Sequence, residues 1–213
     1  MASILDIMAS VIIGGLLVLM TLTAVSSGVT QFFNYNSDAI AQTNLTETAD
    51  ISEYDLRKVG FAIPEIMKDS ILIIAWPNRL KYISHLNYFT DHVVDTVEYF
   101  IQAGDTIQYP DTTLIVYDVI RVSEISGSSL DSGSVGRIAN DSIFVYLDQV
   151  GDPATLIKTI RMVEVTLIAF TPELVLSDAI LKLQGDERRE EFERLMRESY
   201  WRQTRVLSRN LKR

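Results

Sequence analysis

The chain has 213 residues, no cysteine, 19 basic against 28 acidic side chains and a formal net charge of −9. That balance leaves no positive surface to track phosphates, so nucleic acid is a poor partner; the missing thiols exclude a disulfide framework, a thiolate nucleophile and Cys-ligated zinc. With one end reserved for a long apolar stretch, about 150 residues are left for a folded body, enough for one ordinary core.

Ile7 to Ser37 carries no charge, and its first part, Ile7 to Val25, is almost wholly Ile, Leu, Val, Met, Ala and Gly. A helix crosses a bilayer with roughly 20 apolar residues, each rising about 1.5 Å. This run has that length and is apolar on every face, unlike a soluble core helix. A cleaved secretory signal opens with basic residues, whereas the first Lys or Arg here is Arg57. For the same reason the positive-inside rule assigns no orientation. Asp6 stands at the head of the run. An unpaired acid at mid-bilayer depth costs about 2.5–3.5 kcal/mol on insertion scales. Asp6 therefore either lies at the interface, where it also suits the helix macrodipole, or neutralises a free amino group on a neighbouring subunit once helices bundle away from water.

Past this run the pattern turns amphipathic. Ala41, Leu45, Ala49, Ser52, Leu56 and Val59 recur at intervals of three and four, which puts small and apolar side chains on one stripe. Gln42, Glu47, Asp50, Glu53 and Asp55 are assigned to the remaining faces. No proline precedes Pro64, and Gly60 supplies a C-terminal stop. One helix of about 55 residues, roughly 80 Å long, is the expectation. Its weak points are Gly14-Gly15 and Ser26-Ser27-Gly28. The stripe reads as the face on which the chain's own sheet packs.

After Pro64 the period shifts toward two. Strands are expected at Ile71–Ala75, Val93–Gln102, Thr113–Val122, Ile143–Leu147 and Thr159–Thr171, with a last one at Tyr200–Leu211. Asn78–Leu86 is ambiguous, with an extra hairpin arm as one reading. Ser126–Gly136, SGSSLDSGSVG, reads as a flexible surface loop by composition, and Gly185–Glu198 as a charged helix. Helix first and antiparallel sheet second make an α+β plan. Residues 1–30 are then a transmembrane or filament-core helix, 31–60 its amphipathic continuation, and 61–213 a β-rich head with a charged helical insertion near 185–199.

No catalytic constellation stands out, and the chain reads as non-enzymatic, with no cofactor or metal expected. His85 and His92 lack ligand spacing and read as surface or satisfied core residues. Asp148 and Asp152 flank the turn LDQVGDP, which calcium would accept, but the further carboxylates of an EF-hand loop are missing, and a plain turn is preferred. Asn44-Leu45-Thr46 and Asn140-Asp141-Ser142 match the glycosylation triplet, a pattern common by chance. The last twelve residues hold Arg202, Arg205, Arg209, Lys212 and Arg213 with no acid. They form either a solvated strand or a basic end that meets an acidic face of the next subunit in a heterologous array.

The segment ASILDIMASVIIGGLLVLMTLTAV resembles the N-terminal helix of type IV pilins and of the pseudopilins of type II secretion, which carries an acid, usually Glu, at its fifth residue. Here the acid is Asp, and no proline interrupts the helix. With the initiator Met removed, Asp6 is fifth and Ala2 carries the amine. YDLRKVGFAI is similar to the end of this helix in minor pilins and minor pseudopilins. DTVEYFI, SIFVYLDQVGD, IKTIRMVEVTLIAFTPE and the closing YWRQTRVLSRNLKR resemble, in order, strands and the basic ending of their heads.

The resemblance implies a pilin-like fold, pairing of Asp6 with the Ala2 amine of a neighbour, and a filament core built from Ile12, Ile13, Leu16, Leu17, Leu19 and Met20. It also implies a single pass through the bacterial inner membrane with the head in the periplasm, followed by entry into a filament. The partners are then copies of the chain or related pilins, and a pilus or secretion assembly platform. A minor, initiating or adapting, subunit is preferred because the head resembles that branch. The alternatives are a major subunit, or a signal-anchored periplasmic or extracellular binding protein that does not polymerise.

Overall fold

The computed structural model of the chain describes residues 4–63, 71–86, 94–108, 113–125, 129–169, 182–198, 200–207 and 209–211. Two compact units emerge, Met1–Ile40 and Ala41–Arg213. Helix α1 runs from Ile4 to Arg57 without a break, so the expected single long helix is present and its glycines do not interrupt it. Within the first unit the hydroxyls of Thr21, Thr23 and Thr30 donate to the carbonyls of Leu17, Leu19 and Ser26 at 2.8, 2.9 and 3.0 Å. These three hydroxyls are thereby satisfied by their own helix.

In the second unit α1 contributes Ala41–Arg57, and every member of the expected stripe is buried: Ala41, Leu45, Ala49, Ser52, Leu56 and, just past the helix, Val59. Thr48 and Asp55 are buried beside them. Asp55 is thus a correction, since its polarity had put it on an outer face. Positions 48, 52, 55 and 59 also repeat at four, three and four, so helix geometry places Asp55 inward whatever its chemistry.

The helix stops at Gly60, whose φ of +68° is the left-handed conformation that favours glycine. A β-carbon there would meet Ile71 and Asn210 at 2.9–3.1 Å. Carbonyls of the last turn and just beyond it also accept from the body. Asp55 O accepts from the Tyr82 hydroxyl at 3.1 Å, Lys58 O from Ser84 Oγ at 2.7 Å, and Val59 O from Asn210 Nδ2 at 3.0 Å.

The strands are β1 (Leu72–Trp76), β2 (Arg79–Ser84), β3 (Asp95–Gln108), β4 (Thr113–Ile125), β5 (Ser129–Ile138), β6 (Phe144–Leu147), β7 (Met162–Ile168) and β8 (Trp201–Leu207), with helix α2 at Gly185–Glu198. They form an antiparallel five-stranded meander, β1-β2-β3-β4-β5, and an antiparallel three-stranded sheet, β6-β7-β8. One long N-terminal helix with antiparallel sheets is the α+β plan. An isolated bridge, Ile138 to Ala169, links the sheets, and Pro77 O accepts from the amides of Ile143 and Phe144 at 2.9 Å. The core takes Leu80, Tyr82, Val97, Tyr99 and Val119 from the larger sheet and Phe144, Val163, Val165, Leu167 and Val206 from the smaller. Alternation along β7, with Val163, Val165 and Leu167 inward, is the period-two pattern at work.

The ambiguous stretch at Asn78–Leu86 supplies β2, which forms a hairpin with β1 and pairs with β3 on its other side. Other expectations change. The stretch read as a loop, Ser126–Gly136, is largely β5; residues 126–128 lie outside the described residues. Serine and glycine suit a loop, but here Gly136 gives α1 room: a β-carbon would come within 1.9 Å of Thr48 Oγ1. The last strand ends at Leu207, and Arg209–Leu211 turn as a 3₁₀ helix. That turn aims Asn210 at Val59 and buries Leu211. Val93, Phe170 and Thr171 fall outside the described residues, and residues 157–159 form a 3₁₀ turn ahead of β7.

Candidate anchoring and assembly surface

The first unit is apolar and open all round. Ile12, Ile13, Leu16, Leu17, Leu19 and Met20 are all exposed. At about 100° per residue they occupy a sector of roughly 160°. Val11, Val18 and Leu22 on the other side are exposed as well. Among the described residues this is the one helix long and apolar enough to cross a membrane. Asp6 is exposed in its first turn, and its backbone carbonyl accepts from the Ser10 hydroxyl. Ala2 and the Arg209 side chain lie outside the described residues.

Two residues of the basic end, Arg202 and Arg205, are matched within their own chain. Arg202 pairs with Asp50 at 2.8 Å, and Arg205 makes two bonds to Glu164, at 2.6 and 3.0 Å. Gln203 donates to the same carboxylate. Such exposed pairs are worth about 0–1 kcal/mol, so a neighbour's acid would displace them at little expense. A groove of about 580 Å³ runs between the helix end and β8, lined by Glu53, Arg57, Phe61, Arg205, Leu207 and Asn210. Its charges form ion pairs, Arg57 with Glu53 and Arg205 with Glu164.

Under the helix lies a charged cluster that residue-type reasoning missed. Asp55 is only 4% exposed. Its Oδ2 accepts from the Tyr99 hydroxyl at 2.7 Å and from Arg121 Nε at 2.5 Å, and Arg121 Nη1 donates to Ser123 Oγ at 3.2 Å. Burial opposes the charge on Arg121, yet the hydrogen bond and charge of Asp55 outweigh it and raise its pKa. Burial first and the Asp55 charge second push the phenols of Tyr99 and Tyr82 well above their ordinary value; burial alone does so for Tyr146. The cluster joins α1, β2, β3 and β4 at one point, and this geometry fixes helix register and rotation.

A phenol whose folded pKa exceeds its unfolded one holds its proton more tightly in the native state. Its stabilisation is complete below pH about 10, the ordinary phenol value, and is lost as pH climbs above it. In a spectrophotometric titration of the nine tyrosines, we expect Tyr82, Tyr99 and Tyr146 to ionise only together with loss of the sheet's circular dichroism. Complete ionisation with the sheet intact would contradict this.

The remaining sequence candidates are structural. His85 is buried beside the helix end, where its amide donates to Phe61 O at 3.1 Å, and His92 lies outside the described residues. Asp148 Oδ1 accepts from the amides of Val150, Gly151 and Asp152 at 2.8, 2.9 and 3.0 Å, closing the turn. Those bonds, that of Asp152 foremost, hold its carboxyl below the usual range. Asn140 bridges Thr166 O and the Ile168 amide, so its side chain serves the join between the sheets. No group of three or more His, Cys, Asp or Glu among the described residues could hold a metal. No protein-family model, characterised protein or solved structure matches the chain.

Proposed function

We propose that the chain is a non-enzymatic filament subunit of the type IV pilin kind, anchored in the bacterial inner membrane by α1 with its body in the periplasm, and then drawn into a pilus or a type II secretion pseudopilus. The observation that carries this reading is an uninterrupted helix with two different jobs: an apolar, exposed N-terminal stretch with the acid Asp6 in its first turn, and a C-terminal stretch built into a sheet core. A minor subunit, which starts or adapts the fibre, is the preferred form because the body's segments resemble that branch. Its partners are copies of itself or related pilins and the assembly platform.

The physics of the transfer singles out Asp6. Moving apolar helices from lipid to a bundle of siblings changes little for Leu or Ile, because lipid tails are as apolar as the side chains. An acid that gains an amine partner in that bundle does change its free energy, and leaving it there unpaired is strongly unfavourable. Asp6→Ala is therefore expected to leave membrane insertion intact while removing the protein from the sheared fibre fraction. Normal incorporation of Asp6→Ala would overturn the pairing role. A protein found only as a membrane-bound monomer, with no sheared polymer, would favour a signal-anchored binding protein instead.

A further inference from the structure

We propose that Phe32, Phe33 and Tyr35 form an interfacial belt that seats in the lipid headgroup layer and sets how far α1 stands out of the bilayer. This rests on the membrane-anchor part of the reading above, and not on polymerisation. The three rings are 67%, 63% and 77% exposed. Phe32 and Phe33 meet edge to face with centroids 6.3 Å apart, a stiff apolar wedge on the helix. Polar residues interleave with them: Gln31, Asn34, Asn36 and Ser37.

Length makes the bilayer their partner. The aliphatic run Ile7–Val25 spans about 28 Å as a helix, close to the hydrocarbon thickness of about 30 Å. From Asp6 to Phe33 the rise is about 40 Å, against about 40–45 Å for a bilayer with its headgroups. The two acids that bracket the uncharged window, Asp6 and Asp38, then both lie at or beyond headgroup level. A tyrosine gathers at such boundaries because its ring packs while its phenol stays wet, and Phe32 and Phe33 bring further exposed apolar rings to the same level. Asp6 accordingly sits in the opposite headgroup layer before assembly, where its carboxylate is hydrated.

Absence of cysteine makes the test direct. Full-length protein bearing Leu17→Cys, Val29→Cys, Asn36→Cys or Asn44→Cys is placed, one copy per disc, in phosphatidylcholine–phosphatidylglycerol nanodiscs and treated with a membrane-impermeant maleimide. Leu17→Cys is expected to stay unlabelled, Val29→Cys to react about tenfold or more slowly than Asn44→Cys, and Asn36→Cys to react nearly as fast. Adding Phe32→Ala, Phe33→Ala and Tyr35→Ala should let the helix sink and slow the Asn36→Cys reaction several-fold. Alanine is the best helix former, so this variant keeps the helix. A boundary that stays put in the triple variant overturns the belt. So does protection at Asn36→Cys that arises only with two copies per disc, which would assign the rings to a second subunit. Rapid labelling of Leu17→Cys would instead defeat the anchor itself.

Discussion

Arg121→Met is expected to destabilise the body by about 3–5 kcal/mol, measured by urea unfolding of the detergent-solubilised chain. The substitution keeps much of the side chain's volume and removes its charge. Asp55 then stays buried with the Tyr99 hydroxyl as its remaining side-chain donor, since its other bond ran to Arg121 Nε. A carboxylate taken out of water without a counter-charge carries most of that penalty. The double variant Asp55→Asn, Arg121→Met leaves no charge to desolvate, and Asn still accepts from Tyr99. It should therefore be more stable than Arg121→Met alone, a non-additivity that a double-mutant cycle reads directly. Equal stability of the single and double variants would show that the cluster contributes as shape only.

Gly136→Ala is expected to lose about 1–3 kcal/mol, with a lower melting temperature of the body as the readout. The new methyl would fall 1.9 Å from Thr48 Oγ1, 3.0 Å from its Cβ and 3.2 Å from its Cγ2. Thr48 has little freedom to turn away, because its hydroxyl is held to Asn44 O at 2.7 Å and reaches Val135 O at 3.2 Å. The helix or β5 must therefore shift. Thr48→Ala removes the nearest atom, so the pair Gly136→Ala, Thr48→Ala should recover part of the loss. A neutral effect of Gly136→Ala with Thr48 in place would mean that β5 stands further from α1 than the 1.9 Å contact requires.

Periodicity revealed most of this architecture. The stripe from Ala41 to Val59 is buried as its spacing requires, Gly60 ends the helix, and β3, β4, β6, β7 and α2 fall where alternation or charge placed them. The errors share one cause, the use of residue type where position decides. The charge of Asp55 argues for an outer face, although its spacing from Ser52 and Val59 matches the stripe. Serine and glycine around Gly136 suggested a loop, but the small residue is demanded by a helix distant in sequence, which no local window contains. Asn210 and Leu211 continue the strand-like pattern in sequence, while in the fold Asn210 serves the Val59 carbonyl at the helix end. For the candidate site, the apolar run and Asp6 were evident from composition alone. The partners of Arg202 and Arg205 were not, because Asp50 and Glu164 meet them only through the fold.

The bond from Asn210 to Val59 spans 151 positions of the chain. A ribosome therefore releases the helix end long before the residue that caps it exists, and closing so wide a loop is slow. Until Leu211 emerges, the half-made body has an open seam along α1 and an exposed apolar lining, which invites chaperone binding and proteolysis. A copy terminated before Asn210 keeps the long helix but lacks the clasp that shuts its fold.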